Sequence, residues 1–176
     1  MKIAICLSGQ LRQWEMAKEN QKWFWSSGPG EQVDYFIHTW DYSGDRRGVS
    51  QPYEWRDVSQ EEFDDVVEWY QPKGYMFDDR KQDFFYQNDH WSSLFYSMAQ
   101  SIIMKREYEI ENNIEYDVVI KSRPDVVFDP IYHFSPEHLE NNLLYTTHGG
   151  IMEHEFGMYN VNDCVFYANS YTMDLV

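Results

Sequence analysis

The sequence predicts a single α/β domain over residues 1–176, built on a mainly parallel, Rossmann-like sheet with helices on both faces. Short apolar runs alternate along the chain with longer segments of helical periodicity, and strands that alternate with helices pair mainly in parallel. The chain has 176 residues, of which 43% are hydrophobic. A chain of this length and composition buries enough apolar surface to fold without a disulfide or a structural metal.

Each predicted strand of the first half is an apolar run that a turn or loop segment ends, and each predicted helix has apolar residues on one face. The first strand is KIAICL, and Ser8-Gly9 follows it directly. The second helix begins at a capping-box pattern, SQEE at residues 59–62. The predicted elements are a strand at 2–7, a helix at 11–25, a strand at 33–40, a loop at 41–57, a helix from Ser59 to Pro72 and a short strand at 73–77.

The second half contains the longest helical pattern of the chain, over residues 91–112. Leu94, Met98 and Ile102 recur at four-residue steps there, which gives the helix an apolar face. Phe95 and Ile103 are expected to widen that face. The other predicted elements are a loop at 78–90, a strand at 116–120 that continues in extended form over 126–128, strands at 143–147 and 164–168, and the first turn of a helix at 171–176.

The charge balance excludes two classes of partner. The formal net charge is −16. Nucleic acids and anionic membrane surfaces bind proteins through clustered Lys and Arg, whereas the basic residues here form isolated pairs such as Arg46-Arg47 and Lys105-Arg106. We therefore expect neither partner, but a small anion could still bind where a few basic side chains converge.

Hydropathy predicts no membrane span and a cytoplasmic location. No segment approaches the ~18 apolar residues that a membrane span requires. The N-terminal apolar run has about five residues, which is shorter than that of a signal peptide. Cys6 and Cys164 both lie in apolar, strand-like runs, which favours small buried hydrophobic side chains over a catalytic thiol.

Aromatic residues make up 18% of the chain, with 7 Trp and 14 Tyr. Large aromatic side chains with a polar tip serve as core residues in many proteins. Exposed Trp and Tyr also form stacking platforms for sugar rings or bases. Composition leaves both roles open, and the core role is favoured for most of these residues.

Ser8, Gly9, Gln10 and Arg12 belong to the first candidate binding segment, SGQLR, directly after the first predicted strand. In open α/β sheets, ligands bind at the carboxyl ends of the strands. Gly9 lets the backbone turn close to a ligand, and Arg12, in the first turn of the predicted helix, could bind a phosphate in a forked geometry. The alternative is a plain strand-to-helix turn with a surface Arg. The chain has no G-x-G-x-x-G or Walker loop, which weakens dinucleotide and P-loop interpretations.

The second candidate segment is KSRPDVVFD at residues 121–129, directly after the apolar strand YDVVI. Burying Arg123 or Asp125 without a partner would be costly, so each side chain must pair, meet water or meet a ligand. A carboxylate at this edge suits a divalent cation that shares its oxygen ligands with phosphates. The alternative is an internal ion pair between Arg123 and Asp125.

Two further places could contribute to a site. His38 lies near the end of the second predicted strand, where it either faces a ligand or packs in the interior. The segment from Thr147 to Asp163 contains His148, His154, Glu153 and Glu155. The two His with a nearby carboxylate could bind zinc, although their spacing matches no strong zinc motif. Asp163, just before a predicted strand, is either a general base or a turn residue.

Taken together, these segments resemble sugar-nucleotide glycosyltransferases of the GT-A fold, most of all the bacterial or viral polysaccharide-type members. The resemblance covers nearly the whole chain. The segments that match are KIAICLSGQLR at 2–12, FIHTW at 36–40, YDVVIKSRPD at 116–125 and Asn162-Asp163.

The resemblance implies that a sugar moves from a nucleotide-sugar donor to a glycan-type acceptor. Segment 8–12, His38, Arg123 and Asp125 would bind the donor, and Asp163 would be the general base for the acceptor hydroxyl. The family's metal motif is Asp-x-Asp, and Asp125 fits its last position while Arg123 stands at the first. Either Mn²⁺ or Mg²⁺ at Asp125, or Arg123 itself, would then stabilise the leaving nucleoside diphosphate.

Two other functions stay open at this point. The same fold could bind a nucleotide or a sugar without turnover, which the missing first Asp favours. A nucleotidyltransferase uses a similar sheet, but its phosphate loop is usually more basic. Family members of the resembled type continue through further helices after the Asn-Asp element, so the resemblance implies a chain that is short for its fold.

Overall fold

A computed structural model describes residues 1–25, 32–45, 54–79, 90–128, 139–140, 143–146 and 164–176. The helices are α1 (Trp14–Trp25), α2 (Gln60–Tyr70), α3 (His90–Asn112) and α4 (Ser170–Met173). The strands are β1 (Lys2–Ser8), β2 (Gln32–Trp40), β3 (Tyr42–Asp45), β4 (Glu54–Asp57), β5 (Gly74–Asp78), β6 (Val118–Ser122), β7 (Tyr145–Thr146) and β8 (Val165–Ala168). No helix in the described ranges is long and apolar enough to cross a membrane.

Six strands form one sheet in the order β5-β2-β1-β6-β8-β7. β1 pairs in parallel with β2 and with β6, and β2 pairs in parallel with β5. β8 runs antiparallel to both β6 and β7. The predicted α/β fold with a mainly parallel sheet is therefore confirmed, and β8 is the strand that departs from the parallel arrangement.

Helices cover both faces of the sheet. The side chains of β1, which lies inside the sheet, alternate between these two faces. Odd-numbered residues of β1 pack with α1 and α2, and even-numbered residues pack with α3 and α4. The first core cluster includes Ile3, Ile5, Leu7, Trp14, Trp25, Phe63, Val66 and Tyr70, and the second includes Ala4, Cys6, Phe36, Met98, Ile102 and Met173.

One half of the predicted capping box of α2 is present at its N-terminus, while the Glu62 carboxylate accepts from Arg56 and not from the Ser59 N–H. Ser59 is the N-cap, and its hydroxyl accepts a hydrogen bond from the backbone N–H of Glu62 at 3.1 Å. The helix ends at Tyr70, and Gln71 takes the left-handed conformation with φ 50°. Lys73 and the residues after it then lead into β5.

The prediction for the start of α1 is wrong by three residues. The helix begins at Trp14, because Gln13 has a left-handed φ of 42° and the Arg12 N–H bonds to the Gln10 carbonyl. Arg12 therefore lies in a bend before the helix and not in its first turn. Its side chain stays next to the loop after β1.

The loop predicted at 41–57 contains a second, two-stranded sheet. β3 and β4 pair antiparallel, with Gly44 opposite Trp55. Each strand has four residues and includes polar side chains. Such short strands lack the apolar alternation that identifies a strand in a sequence.

Residues 126–128 do not continue β6. Pro124 and Asp125 form a turn, and the Val126 N–H bonds back to the Arg123 carbonyl at 3.4 Å. The backbone carbonyls that an extended strand would present to a neighbouring strand bond instead to a side chain of α1. Asp125 is therefore a turn residue and not part of a strand.

The apolar face predicted for α3 is partly wrong. Met98 and Ile102 are buried as expected, but Phe95 and Ile103 are 58% and 44% exposed. The buried face continues instead through small and charged side chains, namely Ser93, Ser97, Ser101, Lys105 and Glu109. Small residues let the helix approach the sheet closely, as the 3.6 Å contact from the Cys6 thiol to the Ser101 carbonyl shows.

Candidate functional site

The carboxyl ends of β1, β2 and β6 lie together, because these strands are parallel. We call this end of the sheet, with segments 8–12, 38–41 and 122–125, the carboxyl edge. β2 flanks β1 on one side and the much later β6 flanks it on the other. In open α/β sheets, ligands bind in the crevice where the strand order reverses in this way. Segments 8–12 and 122–125 border that crevice.

At Gly9 the loop after β1 borders space that none of the described residues beyond its chain neighbours fills. Gly9 has φ 117°, which side-chain-bearing residues rarely adopt. Apart from its two chain neighbours, no residue that the structure describes has a heavy atom within 4 Å of a Cβ built on Gly9. The Gly9 N–H donates to the His38 carbonyl at 3.2 Å. The neighbouring Ser8 hydroxyl is buried and finds no hydrogen-bond partner in the part of the chain that the structure describes. A buried hydroxyl of this kind can bond to a ligand.

Gln10 fixes the position of Arg12. Its Oε1 accepts hydrogen bonds from the Arg12 Nε at 2.9 Å and from the Gly44 N–H at 2.9 Å. The guanidinium is partly buried. The Gln10 amide therefore connects the loop after β1 to the β3–β4 hairpin and holds a cation at the carboxyl edge.

Arg123 and Asp125 form the internal ion pair that the sequence left open. The Arg123 Nε and Nη2 donate to the two carboxylate oxygens of Asp125 at 2.9 and 2.5 Å. The side chains are 25% and 15% exposed. Arg123 Nη1 also contacts the Cys164 sulfur at 3.8 Å. The pair is thus bidentate and partly exposed.

Two side chains of α1 hold the segment that follows β6, and sequence reasoning missed both. The Gln21 amide donates to the carbonyls of Arg123, Pro124 and Val126 at 2.8–3.1 Å. The Asn20 amide donates to the Phe128 carbonyl at 2.8 Å and accepts from its N–H at 2.6 Å. We call these two residues the Asn20–Gln21 clamp, and it fixes the backbone on which Arg123 and Asp125 stand.

His38 lies at the carboxyl edge, but its ring faces α3. The residue is fully buried. Its Nδ1 is 2.8 Å from the Ser97 hydroxyl, and its Nε2 is 3.3 Å from the Asp78 carboxylate. The Tyr96 hydroxyl donates to the same carboxylate at 3.2 Å. The interior position that the sequence left open is therefore the observed one, and Asp78 and Tyr96 are partners that sequence reasoning missed.

The described residues do not fit a divalent cation at Asp125. Both of its carboxylate oxygens already accept hydrogen bonds from Arg123, and a guanidinium beside the carboxylate repels a second cation. Among the described residues no group of three or more His, Cys, Asp or Glu side chains could hold a metal ion. Asp163 and the other candidates of segment 147–163, which are His148, Glu153, His154 and Glu155, lie outside the described residues.

The structure therefore defines an α/β protein with a mostly parallel sheet, whose carboxyl edge has an open glycine loop, two arginines and a turn held in place by α1. No protein-family model matches the chain, and no curated protein matches it in sequence. Its function has to be inferred from its own residues.

Proposed function

We propose that the chain is a glycosyltransferase of the GT-A fold that moves a sugar from a nucleotide-sugar donor to a glycan-type acceptor. The observation that supports this most is the position of Arg12 and Arg123 on the two segments that border the crevice between β1 and β6. Next to Arg12, a Cβ on Gly9 would meet no described residue beyond its chain neighbours within 4 Å, which supports a ligand site at this loop. A nucleoside diphosphate is the leaving group that two such cations would stabilise.

In this mechanism the arginines replace a metal ion. Negative charge develops on the diphosphate as the bond to the sugar breaks, and preorganised cations lower the energy of that state. Asp125 orients the Arg123 guanidinium through the bidentate pair. The Asn20–Gln21 clamp keeps that pair in place, so little reorganisation is needed when the donor binds. Asp163 remains the predicted base for the acceptor hydroxyl.

Calorimetry with a panel of nucleotide sugars, with manganese and with a chelator, tests the proposal. We expect saturable binding of at least one donor that survives the chelator. Arg12→Ala should weaken that binding about ten- to a hundredfold, since losing a charge-assisted hydrogen bond costs roughly 1.5–3 kcal/mol. Arg106→Ala is the matched control, because Arg106 is 61% exposed and lies on α3. If no nucleotide sugar binds under either condition, the proposal is wrong.

A binding domain without turnover is the second candidate function. Arg123 in place of a metal-binding Asp favours it, because the described residues offer the donor a site without the family's metal pair. Measuring the release of nucleoside diphosphate distinguishes an enzyme from a binding domain without turnover. For an enzyme, Asp163→Asn should keep donor affinity and lose about 10²–10⁴-fold in rate. Donor binding without any release would select the binding domain.

A further inference from the structure

A partly exposed indole stands beside the loop after β1. Trp55 lies on β4 and is 44% exposed. The β3–β4 hairpin bonds to that loop at two points: the Gly44 N–H donates to Gln10 at 2.9 Å, and Arg56 Nη2 donates to the Leu11 carbonyl at 3.1 Å. The hairpin, and Trp55 with it, is therefore attached to the loop after β1, on the β2 side of that loop.

The Trp55 ring is held against the hairpin backbone. A Cβ on Gly44 would lie 2.7, 2.9 and 3.1 Å from three adjacent carbons of the ring. Three such similar distances require the glycine to lie over the face of the ring, since an approach in the ring plane would reach one carbon much sooner than its neighbours. Tyr42 supports the ring from the side, with the centroids 5.7 Å apart.

The hairpin is also fixed to α2. Arg56, next to Trp55, makes a bidentate pair with Glu62 at 2.7 and 2.8 Å. The Val58 N–H bonds to the Asp41 carbonyl at 2.7 Å. A rigid aromatic ring on such a support loses little conformational entropy when a ligand binds to it.

The sheet order separates Trp55 from the ion pair of Arg123 and Asp125. β3 continues from the end of β2, whereas Arg123 and Asp125 follow β6 on the other side of β1. A ligand on Trp55 therefore lies across the loop from a diphosphate at Arg123. The net charge of −16 disfavours a second anion there. The apolar C–H face of a neutral pyranose is the ligand surface that an indole ring fits.

We propose that Trp55 is a stacking residue for a neutral pyranose ring of the acceptor, so that the acceptor is a carbohydrate. The assignment of this sugar as the acceptor rests on the proposed function. The binding of a neutral saccharide at Trp55 does not, and it can be measured without turnover.

Indole N–H resonances in a ¹H–¹⁵N spectrum test this directly. The chain has 7 Trp, and the resonance lost in Trp55→Phe is that of Trp55. The probes are maltotriose, cellotriose, mannotriose and chitotriose. We expect at least one of them to shift the Trp55 resonance saturably. Trp55→Leu should weaken its affinity about five- to a hundredfold, in the range of aromatic stacking on nucleic-acid bases.

Trp23→Leu is the matched control, because Trp23 is 54% exposed on α1 and should not change saccharide affinity. Trp55→Phe keeps a ring over Gly44 and should retain part of the affinity, which separates stacking from loss of the hairpin. Melting temperatures identify variants that fail to fold.

Three results overturn the inference. If a nucleotide sugar binds but no saccharide shifts Trp55, the sugar subsite is wrong and the proposed function stands. If uridine or another nucleoside alone shifts Trp55, the residue binds a base and the acceptor assignment is wrong. If a saccharide shifts the Trp23 resonance equally, the stacking is non-specific.

Discussion

Two groups of paired charges in the molecule use similar side chains in different surroundings. The Lys105 cluster consists of Lys105, Glu109, Ser170 and Asp174, and it fastens α4 to α3. The Lys105 ammonium is fully buried and donates to Glu109 at 2.9 Å, to Ser170 at 2.6 Å and to Asp174 at 2.6 Å. The Arg123 pair, with Asp125, is partly exposed at the carboxyl edge.

The difference shows how the role of a charged group follows from its burial and its hydrogen bonds. An ammonium has three N–H donors, and all three of Lys105 are used inside the protein. Glu109 is satisfied as well, since it also accepts from the Tyr116 N–H at 2.8 Å. The Lys105 cluster therefore has no capacity for a ligand and serves the fold. The Arg123 pair reaches solvent on a rigid turn, where a ligand can approach it.

Replacing Lys105 should have the largest effect on stability. A small effect would contradict the difference between the Lys105 cluster and the Arg123 pair. Lys105→Met should lower the free energy of unfolding by about 3–5 kcal/mol, because Glu109 and Asp174 would lose the cation that compensates their burial. Urea denaturation measures this. Arg106→Met is the control, since its side chain is 61% exposed and its 3.9 Å contact with the Asp174 carboxylate is a surface ion pair, so its loss should cost at most about 1 kcal/mol. Equal effects of the two substitutions would mean that burial does not distinguish these groups.

The sequence predicts the parts of the fold that depend on local patterns. β1 and β2 are apolar runs, and α2 begins at the predicted N-cap Ser59, so these elements are identified where they occur. β6 is predicted at 116–120 and lies at Val118–Ser122, two residues later, because its last two residues are polar. The β3–β4 hairpin has no such pattern, because its strands are short and partly polar. The burial of Lys105 could not be predicted from the sequence either, since its partners Ser170 and Asp174 are 65 and 69 residues away.

The candidate site shows the same division. The position of Ser8–Arg12, His38 and Arg123 at one edge follows from the parallel strands alone. The direction of each side chain does not. The ring of His38 turns toward Ser97, and Arg123 turns toward Asp125. The Asn20–Gln21 clamp joins residues that are 102–108 positions apart, a distance over which one sequence has no pairing signal.

Asp125→Asn gives the intermediate effect and tests the other half of the comparison. The pair is partly exposed, so its loss should cost only about 1 kcal/mol of stability. Donor affinity should fall about tenfold, because the Arg123 fork loses the partner that orients it. Calorimetry and urea denaturation together measure both changes. Asp117→Asn is the matched control: Asp117 is exposed and bonds to the Lys2 N–H at the other end of β1. A large stability loss with unchanged donor affinity would make the Arg123 pair another structural cluster.

The Lys105 cluster and the Arg123 pair each lie next to one cysteine, and the burial of the two thiols can be compared. Cys6 is fully buried next to the Lys105 cluster, whereas Cys164 is partly buried and contacts Arg123. At pH 8 a thiol reagent should modify Cys164 in the folded protein and Cys6 only after unfolding. A bound nucleotide sugar should slow the reaction of Cys164. Rapid modification of both thiols would show that α3 does not seal the second core cluster.

At neutral pH the smallest expected effect is that of the Cys6 thiol, whose titration changes stability only at high pH. Burial raises the pKa of its thiol from 9.0 to about 12, although the Lys105 ammonium offsets part of this rise. Below pH 9 the thiol is protonated in both states and has no effect. Above it the unfolded chain loses the proton while the folded protein keeps it, so stability falls with a slope of at most about 1.4 kcal/mol per pH unit. Cys6→Ala should remove this part of the slope whatever its effect at neutral pH, and urea denaturation at several pH values measures it.

Buried Tyr35, whose pKa burial also raises to about 12, adds a slope that starts near the ordinary tyrosine pKa, about one unit higher. The difference between Cys6→Ala and the parent protein should therefore begin before the tyrosine contribution does. A difference that began only with the tyrosines would mean that the Cys6 thiol does not titrate apart from them.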